Sequence, residues 1–248
     1  MLYVHFYTEQ SSDTCSVFAH RNITSYIVSG RYDARMLDDF VTTVKGFVMN
    51  PSETFVKTRE KSLGCAYQYY IALLVIFTVL FGIVTVTMGL VAFNSMIGAL
   101  AVIPIVGGLI AGGASKFMWF VIALDFFFVY LVFVAALVGV FVAGLLNHVF
   151  VLMMDGKKGV EQTLKTTMYA STPTLLLGWI PFVGILGYIW TLVLLVLGFK
   201  ETQDMKIEYA ALVVLVPIVL LLILVGLGSA VILAFMDAAA ALLPKAFK

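Results

Sequence analysis

From residue 67 onward the chain alternates between long apolar runs and short polar joints. The runs cover about 67–91, 117–154, 169–199 and 209–235. A helix needs ~20 apolar residues to cross a hydrocarbon core of ~30 Å, and a helix satisfies its own backbone groups there. The run at 169–199 is divided by "GWIPFVG". Pro181 interrupts the helix ladder, and Gly178 and Gly184 let the chain turn, so a tight helical hairpin with two arms is predicted. The pattern therefore predicts five spans, one of them (the first hairpin arm) short.

Two stretches depart from a simple span. Residues 93–114, "FNSMIGALAVIPIVGGLIAGGA", are apolar but broken by Pro104 and two Gly-Gly pairs, and read as re-entrant or interfacial. The run at 117–154 would be roughly 55 Å long as a helix, so one end must project beyond the bilayer. Its core portion is expected at 134–154, with the aromatic "FMWFVIALDFFFVY" at the outer interface. Asp125 then avoids the bilayer centre, where a carboxylate costs at least ~2.5–3.5 kcal/mol.

Before the first span the pattern changes twice. Residues 1–35 mix short β-like runs with polar turns and read as a weakly ordered tail, or as an over-extended start ahead of Met36. In 36–66, Phe40, Val41, Val44, Phe47 and Val48 share one helical face, and Asn50-Pro51 restarts the chain. Phe55 and Val56 then alternate with Lys57, Arg59 and Lys61, an amphipathic segment expected to lie on an anionic inner leaflet. The expected organisation is a tail (1–35), an amphipathic region (36–66), a transmembrane domain (67–236) and a short C-terminal tail (237–248).

Composition agrees: 62% of residues are hydrophobic and 12% charged, against ~45–50% and ~25% in soluble domains. The formal net charge of +1 leaves no electrostatic footprint for nucleic acid. Charge also orients the chain. With five spans and the N-terminus inside, Lys45, Lys57, Arg59, Lys61, Lys157, Lys158, Lys165, Lys200 and Lys206 fall on the cytoplasmic side. Lys116, Lys245 and Lys248 fall outside, satisfying the positive-inside rule.

Candidate chemistry concentrates in "HVFVLMMDGKKGVEQTLKTTMYASTP", residues 148–173. "DGKKG" is no phosphate loop, since it follows a membrane helix and lacks G-x-x-x-x-G-K-[ST]. His148 and Ser229 stand on spans whose facing ends differ, so they form no hydrolase dyad. Cys15 and Cys65 are not a C-x-x-C pair. No catalytic, cofactor-binding or metal-binding residue emerges, and the chain does not read as an enzyme. The stretch reads first as a joint: Gly156 is the turn residue, and Lys157 and Lys158 complement the helix dipole. It reads second as a cytoplasmic contact for a partner protein or lipid headgroup, through His148, Asp155, Lys157, Lys158, Thr163 and Lys165. Lys57, Arg59 and Lys61 are the candidate inner-leaflet contacts. Pro173, Trp179, Pro181 and Gly184 shape the hairpin, with Trp179 anchored at the headgroups.

The order of features resembles a known family. "NPSETF" (50–55) precedes a first span and a glycine-rich stretch. "NHVFVLMMDGKKG" then leads to "TLKTTMYASTP" (163–173), "WIPFVGILGYIWTLVLLVLGFKE" (179–201) and a final span. This is similar, over about 36–236, to the prokaryotic and especially archaeal branch of the Yip family, the Ypt/Rab-interacting membrane proteins. The resemblance implies an all-α polytopic bundle of five spans with a cytoplasmic N-terminus in the cell membrane. It also implies a role as scaffold or adaptor, self-association, and a small GTPase as a partner class. The acidic and aromatic N-terminal motif of eukaryotic members is absent, so no GTPase-contacting residue carries over. A transporter or channel for a small solute is the competing expectation, resting on the broken helix at Pro181 and on the glycine-rich segment at 104–113.

Overall fold

The structure is a computed structural model and describes the backbone of residues 29–102 and 113–246. Among them every regular element is an α-helix. In chain order these are α1 (Ser29–Met49), α2 (Pro51–Thr58), α3 (Leu63–Ala101), α4 (Ala114–Met153), α5 (Gly159–Ala170), α6 (Thr172–Leu177), α7 (Gly184–Thr202) and α8 (Ile207–Ala246). Residues 1–28 and the Pro104 and Gly-Gly part of 93–114 lie outside the described residues; α1 runs through Met36 back to Ser29.

Four helices, α3, α4, α7 and α8, are each long and apolar enough to cross a membrane. The expected fifth span is divided instead. The chain bends at Ser171, and Pro173 sits in the first turn of α6, where its missing N–H costs nothing. Neither α5 nor α6 is long enough to cross alone. Stacked, residues 159–177 cover roughly 28 Å. A second expectation also needs correcting. Residues 93–101 are no separate interfacial segment but the end of α3, because no helix breaker precedes Pro104.

α3 and α4 form a long antiparallel pair. Tyr67 meets Phe141 (ring centroids 5.1 Å apart), Phe81 meets Phe128 at 6.4 Å, and Phe93 meets Phe117 at 5.4 Å. The Tyr70 hydroxyl donates to the Ala136 carbonyl across the pair at 2.9 Å. Against one half of this pair pack α5, α6 and α7 as the predicted hairpin. Its turn is held by Gly184 against the backbone of Gly178 and by Gly187 against the Pro173 carbonyl, approaches that leave no room for a Cβ. The Thr174 and Thr191 hydroxyls join the arms at 2.8 Å.

Near the hairpin tip, Gly178 lies beside the Phe77 ring. Phe77 is about 21 Å along α3 from Leu63, and α3 runs on for roughly 36 Å more. Beyond the tip, only α3, α4 and α8 continue among the described residues. α8 packs on α4 and α7 through Ala210, Val213 and Val214. From residue 219 to 238 it is exposed on every side and nearly all apolar, the surface of a lipid-facing span. Trp179 packs on protein near the hairpin turn. It is half-buried against the core, its Nε1 donating to Leu176 O at 2.8 Å, while Phe182 is 90% exposed at the tip.

The main core sits at the other end, where α1 and α2 fold onto the bundle. Phe47 and Phe55 are fully buried and meet edge to face at 4.8 Å. Phe47 stacks on Tyr169 at 5.2 Å, Tyr169 touches Tyr69 at 5.2 Å, and Phe40 touches Tyr69 at 5.4 Å. The amphipathic face expected on the leaflet is thus covered largely by protein. Aromatic rings on α3 and α5 offer it a close-packed partner, which mobile lipid chains do not. Leu37, Val41 and Val48 remain exposed along the neighbouring stripe.

Candidate functional site: the polar joint

Three inter-helix connections meet the end of α2, and two of them close in the same way. At the end of α4, Asp155 takes a left-handed φ of 65° and Gly156 N–H returns to Val151 O at 2.9 Å. At the end of α7, Asp204 takes φ 51° and Met205 N–H returns to Lys200 O at 3.2 Å. Both are Schellman-type closures with aspartate in the position glycine usually holds. The expected turn glycine is displaced by one residue. Gly156 is required by contact with Val151 and Gln203 rather than by φ.

The closure at Asp204 sets its carboxylate between two cations. Arg59 donates to it twice, Nη1 to Oδ1 and Nη2 to Oδ2, both at 3.0 Å, and Lys158 Nζ lies 2.8 Å from Oδ2. Lys158 first and Arg59 next hold this carboxyl below the usual aspartate range. One side chain therefore ties α2, the α4–α5 joint and the α7–α8 joint together, with the planar fork geometry that makes Arg–carboxylate pairs directional.

Next to it, Gln203 is buried and bonded at both ends. It accepts from Lys158 N–H at 3.0 Å and donates to Gly159 O and Thr163 Oγ1, each at 3.0 Å. Thr163 Oγ1 also shares a hydrogen bond with His148 Nδ1 at 2.9 Å. Lys165, with only 5% of its side chain exposed, donates to the carbonyls of Arg59 (2.9 Å) and Lys61 (2.8 Å) and lies 3.4 Å from Glu161. It caps the C-terminal end of α2, where orphan carbonyls favour a cation. Thr166 bonds Thr202 at 2.7 Å, and Thr166 and Thr167 each donate to the carbonyl four residues back. Thr163, Thr166 and Thr167 are thus buried residues whose hydroxyls are satisfied inside the joint.

Of the six candidate contacts, Thr163 and Lys165 are buried, His148 is half-buried, and Lys158 is drawn into the ion cluster. Asp155 and Lys157 stay outside, paired loosely with each other at 3.5 Å. Among the candidate leaflet contacts, Arg59 is committed to Asp204 and Lys61 lies 3.7 Å from Asp39. Lys57 is 71% exposed beside Glu53. Gln203 and Asp204 were not singled out from sequence; the signal was a "QD" at the end of an apolar helix, a polar pair in a capping position. His148 and Ser229 have separate partners, Ser229 donating to Gly226 O on its own helix.

Long apolar helices with lipid-facing flanks and a polar joint at one end define a polytopic helical membrane protein. The Yip1 domain family model matches residues 45–229, and the chain belongs to that family. No curated protein and no solved structure matches it.

Proposed function

We propose that this chain is a non-enzymatic scaffold or adaptor of the cell membrane, with the polar joint facing the cytoplasm and presenting a fixed surface to other membrane proteins. The observation that carries the reading is the joint itself. Three segments far apart in sequence are locked together there, and the rigid head so formed presents Lys57, Asp155 and Lys157 at its rim. A rigid charged surface costs a partner little ordering entropy on binding. The basic residues gathered at this end favour the inner side, and the family suggests a small GTPase as one partner class. The uneven build, wider at the joint than beyond the hairpin tip, also suits a bilayer-shaping role.

Of the two features behind a transport reading, the glycine-rich 104–113 segment lies mostly outside the described residues. The Pro181 break is closed on itself: Gly178 N–H bonds Thr174 O, Ile180 N–H bonds Leu177 O, and Gly184 N–H bonds Ile180 O. These backbone groups are occupied rather than offered to a solute.

The test is photo-crosslinking in native membranes from a probe at Lys157, with the same probe at Lys116 as the control. A protein trapped reproducibly from position 157 alone is the expected result. Lipid or identical adducts from both positions would refute the adaptor reading. Lys165 is unsuited to the experiment, since reversing its charge would break the joint itself.

A further inference from the structure

The far half of the α3–α4 pair carries a groove outside the joint. It has a volume of about 350 Å³, and its walls include Thr78, Val79, Gly82, Ile83 and Phe126. Asp125 of α4 is the one ionisable residue along it. Its Oδ2 is buried and has no hydrogen-bond partner among the described residues. An unpaired buried carboxylate oxygen costs free energy, the cost grows in lipid, and a cation beside the carboxyl would offset it. Small-molecule sites are typically recesses of ~300–1,000 Å³, mostly apolar with a few placed polar groups.

Depth selects the occupant. Phe81 faces Phe128 and Gly82 faces Val129 across the pair, so Asp125 lies level with about Val86. Counted from Tyr67, where the apolar run begins beside the joint, a hydrocarbon layer of ~30 Å ends near residue 87 of α3. The carboxylate is therefore at the headgroup boundary of the leaflet remote from the joint. The apolar part of the groove runs from there towards the bilayer middle, past Ile83 and Val79 to Thr78. A lipid of that leaflet has its polar head and its chain in the same order.

We propose that this groove is a lipid-binding site, specific for a lipid whose headgroup carries a protonated amine. The amine donates to Asp125, and one acyl chain lies along α3 between Val79 and Val86. Gly82 keeps the floor low: a Cβ there would already be in contact with Val129.

The experiment uses the full chain in nanodiscs of equal phosphatidylethanolamine and phosphatidylcholine, with retained lipid and protein mass read by native mass spectrometry. The wild type is expected to hold the ethanolamine lipid over the choline lipid by about tenfold, the worth of one charge-assisted hydrogen bond. Asp125→Asn should bring the ratio to within about twofold of bulk, because the charge is gone while the shape stays. Ile83→Trp, on a lipid-exposed position, should fill the groove and lose both lipids with the carboxylate intact. An unchanged preference in Asp125→Asn, or no preference in the wild type, would overturn the proposal. So would a dimer mass that Asp125→Asn abolishes, since a second copy would then be the occupant.

Discussion

Replacing Lys165 with methionine tests the claim that the joint is held from within. The substitution keeps the length of the side chain and its apolar stem but removes the ammonium. Two carbonyls just past α2, those of Arg59 and Lys61, lose donors at 2.9 and 2.8 Å. Hydrogen bonds to charged groups contribute roughly 1.5–3 kcal/mol each. Arg59 O keeps a second donor in Gln162 Nε2 at 3.1 Å, so the loss there is the smaller one. Removing the ammonium also spares the cost of burying it, which offsets part of the loss. About 3 kcal/mol in all is the resulting expectation. Lys57→Met is the matched control. Its ion pair with Glu53 spans one helical turn and both side chains are mostly exposed, so almost no change in stability is expected. For a chain of this size, 1 kcal/mol shifts the melting temperature by roughly 2–4 °C. Thermal unfolding in detergent, followed by tryptophan fluorescence, should therefore separate the variants by about 5–10 °C. Hydrogen exchange should place the loosening at residues 45–62. Equal melting temperatures for the two variants would refute the reasoning, because Lys165 would then behave as a surface lysine.

Two further outcomes follow from the same packing. The Asp204 carboxyl is held below its ordinary range in the folded chain, so its contribution is complete above an unfolded aspartate value of ~4 and is lost as the pH falls below it. Exchange protection of α2 should drop over that acid window and with added salt, and Asp204→Asn should remove this part of the pH dependence. At Gly198, an added Cβ would stand 2.5 Å from Thr166 Cγ2 and 2.8 Å from Phe55 Cζ, whereas at Gly226 nothing lies within 4 Å. Gly198→Ala should cost about 1–3 kcal/mol and Gly226→Ala should be neutral or gain up to ~1 kcal/mol of helix propensity, both read by thermal unfolding.

What could be read without the fold was set by local physics. Apolar runs longer than a bilayer core, a proline between two glycines, and an amphipathic segment ahead of the first span are properties of neighbouring residues. They yield the all-helical polytopic class, the hairpin and the position of the joint. The order of those same features was enough to point to the Yip family.

The tertiary structure decided where each face and charge ended up. Periodicity shows that Phe47 and Phe55 need a covering. It does not say whether lipid or protein provides it, and the answer came from Tyr69 and Tyr169 arriving on other helices. A lysine in a polar stretch reads as exposed. Lys165 is buried because two carbonyls over a hundred residues earlier are carried to it, an arrangement no local window contains. From the sequence alone, Asp125 is an acid expected at the outer interface. Only the packing of α3 against α4 made one of its oxygens an unpaired acceptor in an apolar groove, because burial is a property of the pair and not of either helix.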